Sequence, residues 1–175
     1  MSRWWAIRYR GLSDGKVVDL SALANHSSPA RVRTVLGETL WANTFKFSIV
    51  RNFYDVEVSR YFWRCRGKIP SDRSAAKLDF ESFVLNTGPA KTNAMVVDHL
   101  EEFDFIINFS ELTRDLQRLM SHLGFEVEVD SALPREKTGL RPHWTSDYRA
   151  LYTGKAQEAV QAKYAAQLEK AGQVF

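Results

Sequence analysis

Two short apolar runs stand out along the chain. FKFSIV at 45–50 and FDFIINF at 103–109 are bounded by polar residues and predict buried strands. Each leads into a stretch of helical period. After the first, Val58, Tyr61, Phe62 and Cys65 share one face of a helix over Tyr54 to Arg66 that Gly67 closes. After the second, Leu112, Leu116, Leu119, Met120 and Leu123 form a stripe that begins behind Ser110 as cap and ends at Gly124. Ser28 before Pro29 predicts a helix through Val32, Val35 and Leu36 that stops at Gly37, with a second short helix around Leu40 and Trp41. Asp79 is placed to cap a helix carrying Phe80, Phe83 and Val84. Residues 68–78, NTGPAKTN at 86–93 and 133–144 read as loops, and Phe125 to Val129 as a short strand. From Lys155 an alanine-rich tail places Val160, Tyr164 and Leu168 on one helical face. Residues 1–25 are poorly patterned, with Gly11, Asp14 and Gly15 punctuating a turn between two extended pieces. The alternation of strand and helix argues for an α/β layered fold with parallel strands.

No repeat or composition break divides the 175 residues, so a single domain over 1–175 is expected. The chain is 45% hydrophobic, 13% aromatic and 26% charged, which excludes a disordered or fibrous class. One cysteine, Cys65, cannot form an internal disulfide or a thiolate cluster. It reads as a small buried hydrophobe, and its solitude fits a cytoplasmic location. No apolar stretch approaches the roughly 18 residues of a membrane span, and the N-terminus does not read as a signal peptide. A net charge of +3 suits an anionic small ligand better than a nucleic acid. His99, His122 and His143 have no metal-binding spacing, so no metal is expected. The five tryptophans, Trp4, Trp5, Trp41, Trp63 and Trp144, read as core or interface packing.

The informative stretch is FSIVRNFYDVEVSRY at 47–61. Arg51 follows a strand directly, at the carboxyl end where open α/β sheets bind ligands. Ser59 lies one to two turns into the next helix and can face the same crevice. An arginine fork, a hydroxyl and helix N-terminal amides together suit a phosphate group. The alternative for Arg51 is an ion pair with Asp55 or Glu57 at the helix start, and the case for Ser59 depends on Arg51.

FKFSIVRNFYDVEVSRYFW resembles the 3′-phosphate-binding segment of sulfotransferases that use 3′-phosphoadenosine-5′-phosphosulfate (PAPS). That family's pattern is an apolar strand, V-R-N-P, an aromatic and an acidic residue, a basic residue, then V-S. FDFIINFSELTRDLQRLMSHLGF is similar to its strand, E-x-L and leucine-patterned helix. LPREKTGLRPHWTSDYRALYTGKAQEAVQAKY is similar to its closing segment, a lysine-containing loop followed by a Y-x-x-x-Y pair, here Tyr148 and Tyr152. The resemblance covers roughly residues 24 to 175, so 26–175 is the family-like part. It implies a nucleotide-binding fold of the P-loop type, a central parallel sheet flanked by helices. It implies PAPS as donor, no metal, and a hydroxyl-bearing small molecule or glycan as acceptor, carbohydrate being the expectation. Arg51 and Ser59 carry over as 3′-phosphate ligands. Lys137 and Arg141 line the nucleotide pocket or stand as solvated loop charges. His26 precedes the 3′-phosphate strand, as the general base does in some carbohydrate sulfotransferases. It reads as that base or as a residue of the loop capping the next helix.

The chain departs from the family pattern at several places. Phe53 stands where the family has proline, Val56 where it has a basic residue, and Asn108 where it often has arginine. Nothing in residues 1–25 matches the phosphosulfate loop K-T-x-G-T-S; Gly15-Lys16 leads into valines. The expected fold therefore lacks its usual first strand–loop–helix unit. That loss should leave apolar surface beside the strand at 45–50, or require Trp4, Trp5 and Ile7 to cover it. The missing loop keeps open a second class, a non-catalytic nucleotide-binding or scaffolding remnant of the family. A nucleoside or sugar kinase is a third reading, but it also needs a phosphate loop.

Overall fold

The two apolar runs do pair. In the computed structural model, β3 (Phe47–Val50) lies parallel to β4 (Phe105–Asn108) in the register Phe47↔Phe105 to Val50↔Asn108. A parallel pair needs a long crossover, and here it runs through three helices, α3 (Phe53–Cys65), α4 (Phe80–Asn86) and α5 (Lys91–Asp98). The structure describes residues 12–13, 16–17, 23, 26–66, 78–129, 141–142 and 145–175. Ahead of the parallel pair, β1 (Leu12–Ser13) and β2 (Lys16–Val17) pair antiparallel, followed by α1 (Pro29–Leu36) and α2 (Glu38–Asn43). After β4 come a 3-10 turn at Phe109–Glu111, then α6 (Leu112–His122). A 3-10 turn at Tyr148–Leu151, α7 (Gly154–Lys163) and α8 (Ala165–Lys170) follow. The fold is α/β, mostly helical, with a small two-stranded parallel sheet.

The caps are local. Ser28 Oγ accepts from the Arg31 N–H, Asn52 Oδ1 from Tyr54 N–H and Asp79 Oδ1 from Ser82 N–H, each satisfying an amide that the first helical turn leaves unpaired. The core forms where α3, α4 and α7 meet. Phe53, Val58, Phe83, Val84, Val97, Val160 and Tyr164 are fully buried, and the stripe of Val160, Tyr164 and Leu168 faces inward as its spacing predicts. Within this core Glu57 is fully buried. It accepts from Arg60 Nη1 at 2.6 Å and from the Tyr164 hydroxyl, with Lys163 Nζ at 3.9 Å. Burial lowers the Lys163 ammonium pKa and raises that of the Tyr164 phenol.

Several expectations are corrected. NTGPAKTN is not all loop: α4 runs to Asn86 and α5 begins at Lys91, with Val97 buried and Ala94 packed on the core. Ser110 does not cap the helix after β4. It sits in the 3-10 turn, where Asn108 Oδ1 accepts its N–H at 3.1 Å. Phe125 to Val129 forms no strand, because no neighbouring strand pairs with it; Phe125 and Val127 are exposed and only Val129 is buried. Cys65 is half-buried, and Trp63 lies at the surface with Arg66 stacked on its ring. Phe47 and Ile49 are each 42% exposed, so apolar sheet surface stands open as expected for β3. Trp4, Trp5 and Ile7 lie outside the described residues.

Asp115, not a cap, joins β4 to the helix that follows. It is buried on α6, and its Oδ2 accepts from Asn108 N–H at 2.9 Å, tying the end of β4 to the helix that follows. The Asn108 amide first, then the Arg114 guanidinium, hold the Asp115 carboxyl below the usual carboxylate range. A group with a depressed folded pKa stabilises fully above its unfolded value, near 4, and loses that contribution as pH falls through the lower folded value. Asp115→Asn should therefore unfold at lower urea than the wild type at pH 7. The gap should narrow at pH 3. An equal gap at both pH values would contradict the assignment.

Candidate functional site

The carboxyl end of β3 carries the densest charge constellation. Asn52 caps α3 immediately after the strand, so the chain turns sharply and Arg51 is left at the junction. Arg51 Nε donates to Asp55 Oδ2 at 2.5 Å, an i,i+4 pair across the first turn of α3. The other oxygen of Asp55 accepts from Arg141 Nη1 at 2.5 Å, from a segment 86 residues away. Asp55 thus holds two guanidinium groups, and the trio has a net positive charge. All three side chains are mostly shielded, so their interactions are screened less than surface pairs.

Each arginine has further support. The Arg51 guanidinium carbon lies 4.3 Å from the Phe109 ring centroid, a cation–π contact supplied by the turn after β4. Arg141 Nε donates to Thr145 Oγ1 at 3.1 Å, and that buried hydroxyl donates in turn to the Pro142 carbonyl at 2.7 Å. Arg141 Nη2 is buried and has no hydrogen-bond partner. A buried donor without an acceptor is costly to the fold. Burial raises the Tyr148 phenol pKa, opposed by the Arg149 charge and aided to a lesser degree by Asp55. Tyr152, its partner in the Y-x-x-x-Y pair, donates from its hydroxyl to the Tyr54 carbonyl at 2.8 Å and so fastens the closing segment to α3.

A cleft of about 410 Å³ opens beside this end of β3, lined by Ile49, Arg51, Arg60, Lys91, Asn93 and Val96 among others. Its volume falls within the range of small-molecule sites, about 300 to 1,000 Å³. A second hollow of about 370 Å³ lies between Tyr54, the last two helices and Phe175, but it gathers no pair of cations. Among the described residues no cluster of three or more His, Cys, Asp or Glu side chains could hold a metal ion. No described helix is long and apolar enough to cross a membrane.

Arg51 and Arg141 come together, through Asp55. Ser59 sits one turn beyond Asp55 on α3, half-buried. Lys137 lies outside the described residues. His26 is exposed in the turn before α1, in a left-handed backbone conformation (φ 63°), with no hydrogen bond or ion pair to Arg51, Asp55 or Arg141. The helix that follows is capped by Ser28, as its place before Pro29 predicts. The anticipated alternative for Arg51, an ion pair with Asp55, is present, while Glu57 pairs with Arg60. Sequence reasoning treated Asp55 only as a possible partner of one arginine. The i,i+4 spacing signals that pair, but nothing local signals that Arg141 joins it.

No protein-family model matches the chain, and no curated protein or solved structure is significantly similar to it. The class established by the fold is an α/β protein with a helical crossover between two parallel strands and a basic constellation at the strand end.

Proposed function

We propose that the chain binds a nucleotide carrying a 3′-phosphate at the end of β3, where Arg51 lines the cleft and Arg141 joins it through Asp55. In this reading the site is the donor site of a sulfotransferase that moves a sulfuryl group from PAPS to a hydroxyl, with a carbohydrate as acceptor. The observation that carries the reading is the convergence of Arg51 and Arg141 on Asp55 at the end of β3, with Arg141 Nη2 left without an acceptor. Two guanidiniums facing one carboxylate retain positive charge and unused fork donors, which suit a phosphate dianion. Ser59 adds a hydroxyl donor on the same helix, and Lys137 is the further candidate for the pocket. His26 is the candidate general base on the acceptor hydroxyl, and charge stabilisation at the departing phosphate would carry most of the rate.

Calorimetry with adenosine 3′,5′-bisphosphate and with 5′-AMP tests the site. The wild type should prefer the bisphosphate. Arg51→Ala should weaken bisphosphate binding by about 10- to 100-fold, more than Ser59→Ala, because a charge-assisted fork is lost rather than one hydroxyl. Equal wild-type affinity for the two nucleotides would refute the assignment.

A second reading, a nucleotide-binding chain without transfer activity, is favoured by the position of His26, which makes no hydrogen bond or ion pair to Arg51, Asp55 or Arg141. Bisphosphate binding without transfer of labelled sulfate from PAPS, across a panel of hydroxyl acceptors, would select it.

A further inference from the structure

We propose that Asn93 and Gln173 are positioning residues that aim Arg51, an inference that rests on the nucleotide-binding reading for its function but not for its geometry. The last register pair of the sheet is Val50↔Asn108, so the peptide groups of Arg51 have no strand partner. Unpaired backbone groups half-shielded from water must find partners elsewhere. Asn93 supplies both. Its Oδ1 accepts from Arg51 N–H at 3.2 Å and its Nδ2 donates to the Arg51 carbonyl at 2.9 Å, from 42 residues away. The side-chain amide imitates the next strand of the sheet at one residue.

Gln173 closes the other side. Its Nε2 donates to the same Arg51 carbonyl at 3.4 Å, and its Oε1 accepts from Phe53 N–H at 3.1 Å. Asn52 Nδ2 donates to the Val174 carbonyl at 3.2 Å, so the segment after α8 binds every residue of the 51–53 turn. Two amides from distant segments therefore fix the peptide from which the Arg51 side chain departs. The guanidinium sits at the end of a long flexible stem, where a small rotation at the backbone displaces it most. A binding group held loosely by its supporting shell loses geometry before it loses presence. Asn93 also lines the cleft, so the residue that orients Arg51 is part of the wall a ligand would meet.

The test uses the full chain and two readouts. The first is the ¹H–¹⁵N signal of Arg51 Nε in the free protein, assigned by its loss in Arg51→Lys. The second is the ratio of affinities for adenosine 3′,5′-bisphosphate and 5′-AMP. Asn93→Ala should move the Nε signal and reduce the bisphosphate preference by about tenfold. Asn93→Asp sets a carboxylate oxygen against the Arg51 carbonyl and a negative charge in the cleft wall, and should move both readouts at least as far as alanine does. Gln173→Ala should shift both in the same sense and serves if the Asn93 variants do not fold. An Nε signal and an affinity ratio at wild-type values in folded variants would overturn the proposal. If the wild type shows no preference between the nucleotides, the nucleotide reading fails by itself. The Nε signal then still decides: moved, it supports positioning, and unmoved, it overturns it.

Discussion

Phe53→Ala should cost about 3 to 5 kcal/mol, the range for truncating a fully buried aromatic. For a chain of this size that is a fall of roughly 6 to 20 °C in melting temperature. Phe53 is fully buried, and its ring stacks on Tyr164 with centroids 4.4 Å apart and planes at 29°. Tyr164 is itself fully buried; its hydroxyl donates to Glu57 and accepts from the Ala90 N–H at 2.5 Å. Truncating Phe53 thus opens a cavity beside a buried polar network as well as removing apolar contact. The backbone at this position matters as well as the ring. Proline suits the first turn of a helix, where its missing N–H is not needed. Here the Phe53 N–H is needed, because it donates to Gln173 Oε1. Phe53→Pro should therefore destabilise despite its favourable backbone, through the lost ring and the lost donor together. Phe53→Leu keeps the donor and most of the apolar volume and should cost less than either. Thermal melts of the three variants check the order, and a proline variant as stable as the wild type would refute it.

What the sequence made legible follows the range of the forces involved. Caps at Ser28, Asn52 and Asp79 are short-range hydrogen bonds, and the first and last of these were readable from residue type and spacing. The stripes of α3 and α7–α8 were readable because burial repeats with the helical period. The segment at 91–98 was not, since the Gly88-Pro89 pair marks a loop and the helix begins directly after it. The alternation of Phe125, Val127 and Val129 has the strand period but lacks a pairing edge, and period without a partner makes no strand. Ser110 is a good cap by type, yet Asn108 and Asp115 satisfy the amides at that corner first. At the site, Arg51 was readable because a basic residue ending an apolar strand is a local signal. Arg141 carried no local signal that chose between pocket lining and a solvated loop charge, and its meeting with Asp55 depends on a chain closure of 86 residues. Asn93 and Gln173 carry no local mark at all. Their role exists only once 42 and 122 residues of chain have brought them to Arg51.

If the site works as a sulfuryl-transfer donor site with His26 as base, replacing His26 should lower the transfer rate by about 10² to 10⁴. Asparagine is the informative replacement. His26 has φ 63°, a region that asparagine tolerates better than alanine does, so His26→Asn preserves the turn while removing the imidazole. The side chain is exposed and α1 is capped by Ser28, so the variant should melt with the wild type. Affinity for adenosine 3′,5′-bisphosphate should also be unchanged, because His26 bonds neither Arg51 nor Arg141. The pH profile carries the chemistry. A base must be neutral to take the hydroxyl proton, so the wild-type rate should rise with pH as the base gives up its own proton. His26→Asn should lose that rise. Because residues 1–25 hold no phosphosulfate loop motif, the assay is run on a chain in which that strand–loop–helix unit is supplied ahead of residue 26. An intact rate and pH rise in His26→Asn would remove His26 from the chemistry. Glu38 would become the next base to test, because Glu57 is fully buried and cannot reach an acceptor, whereas Glu38 is exposed and engaged only by Arg33 at the surface.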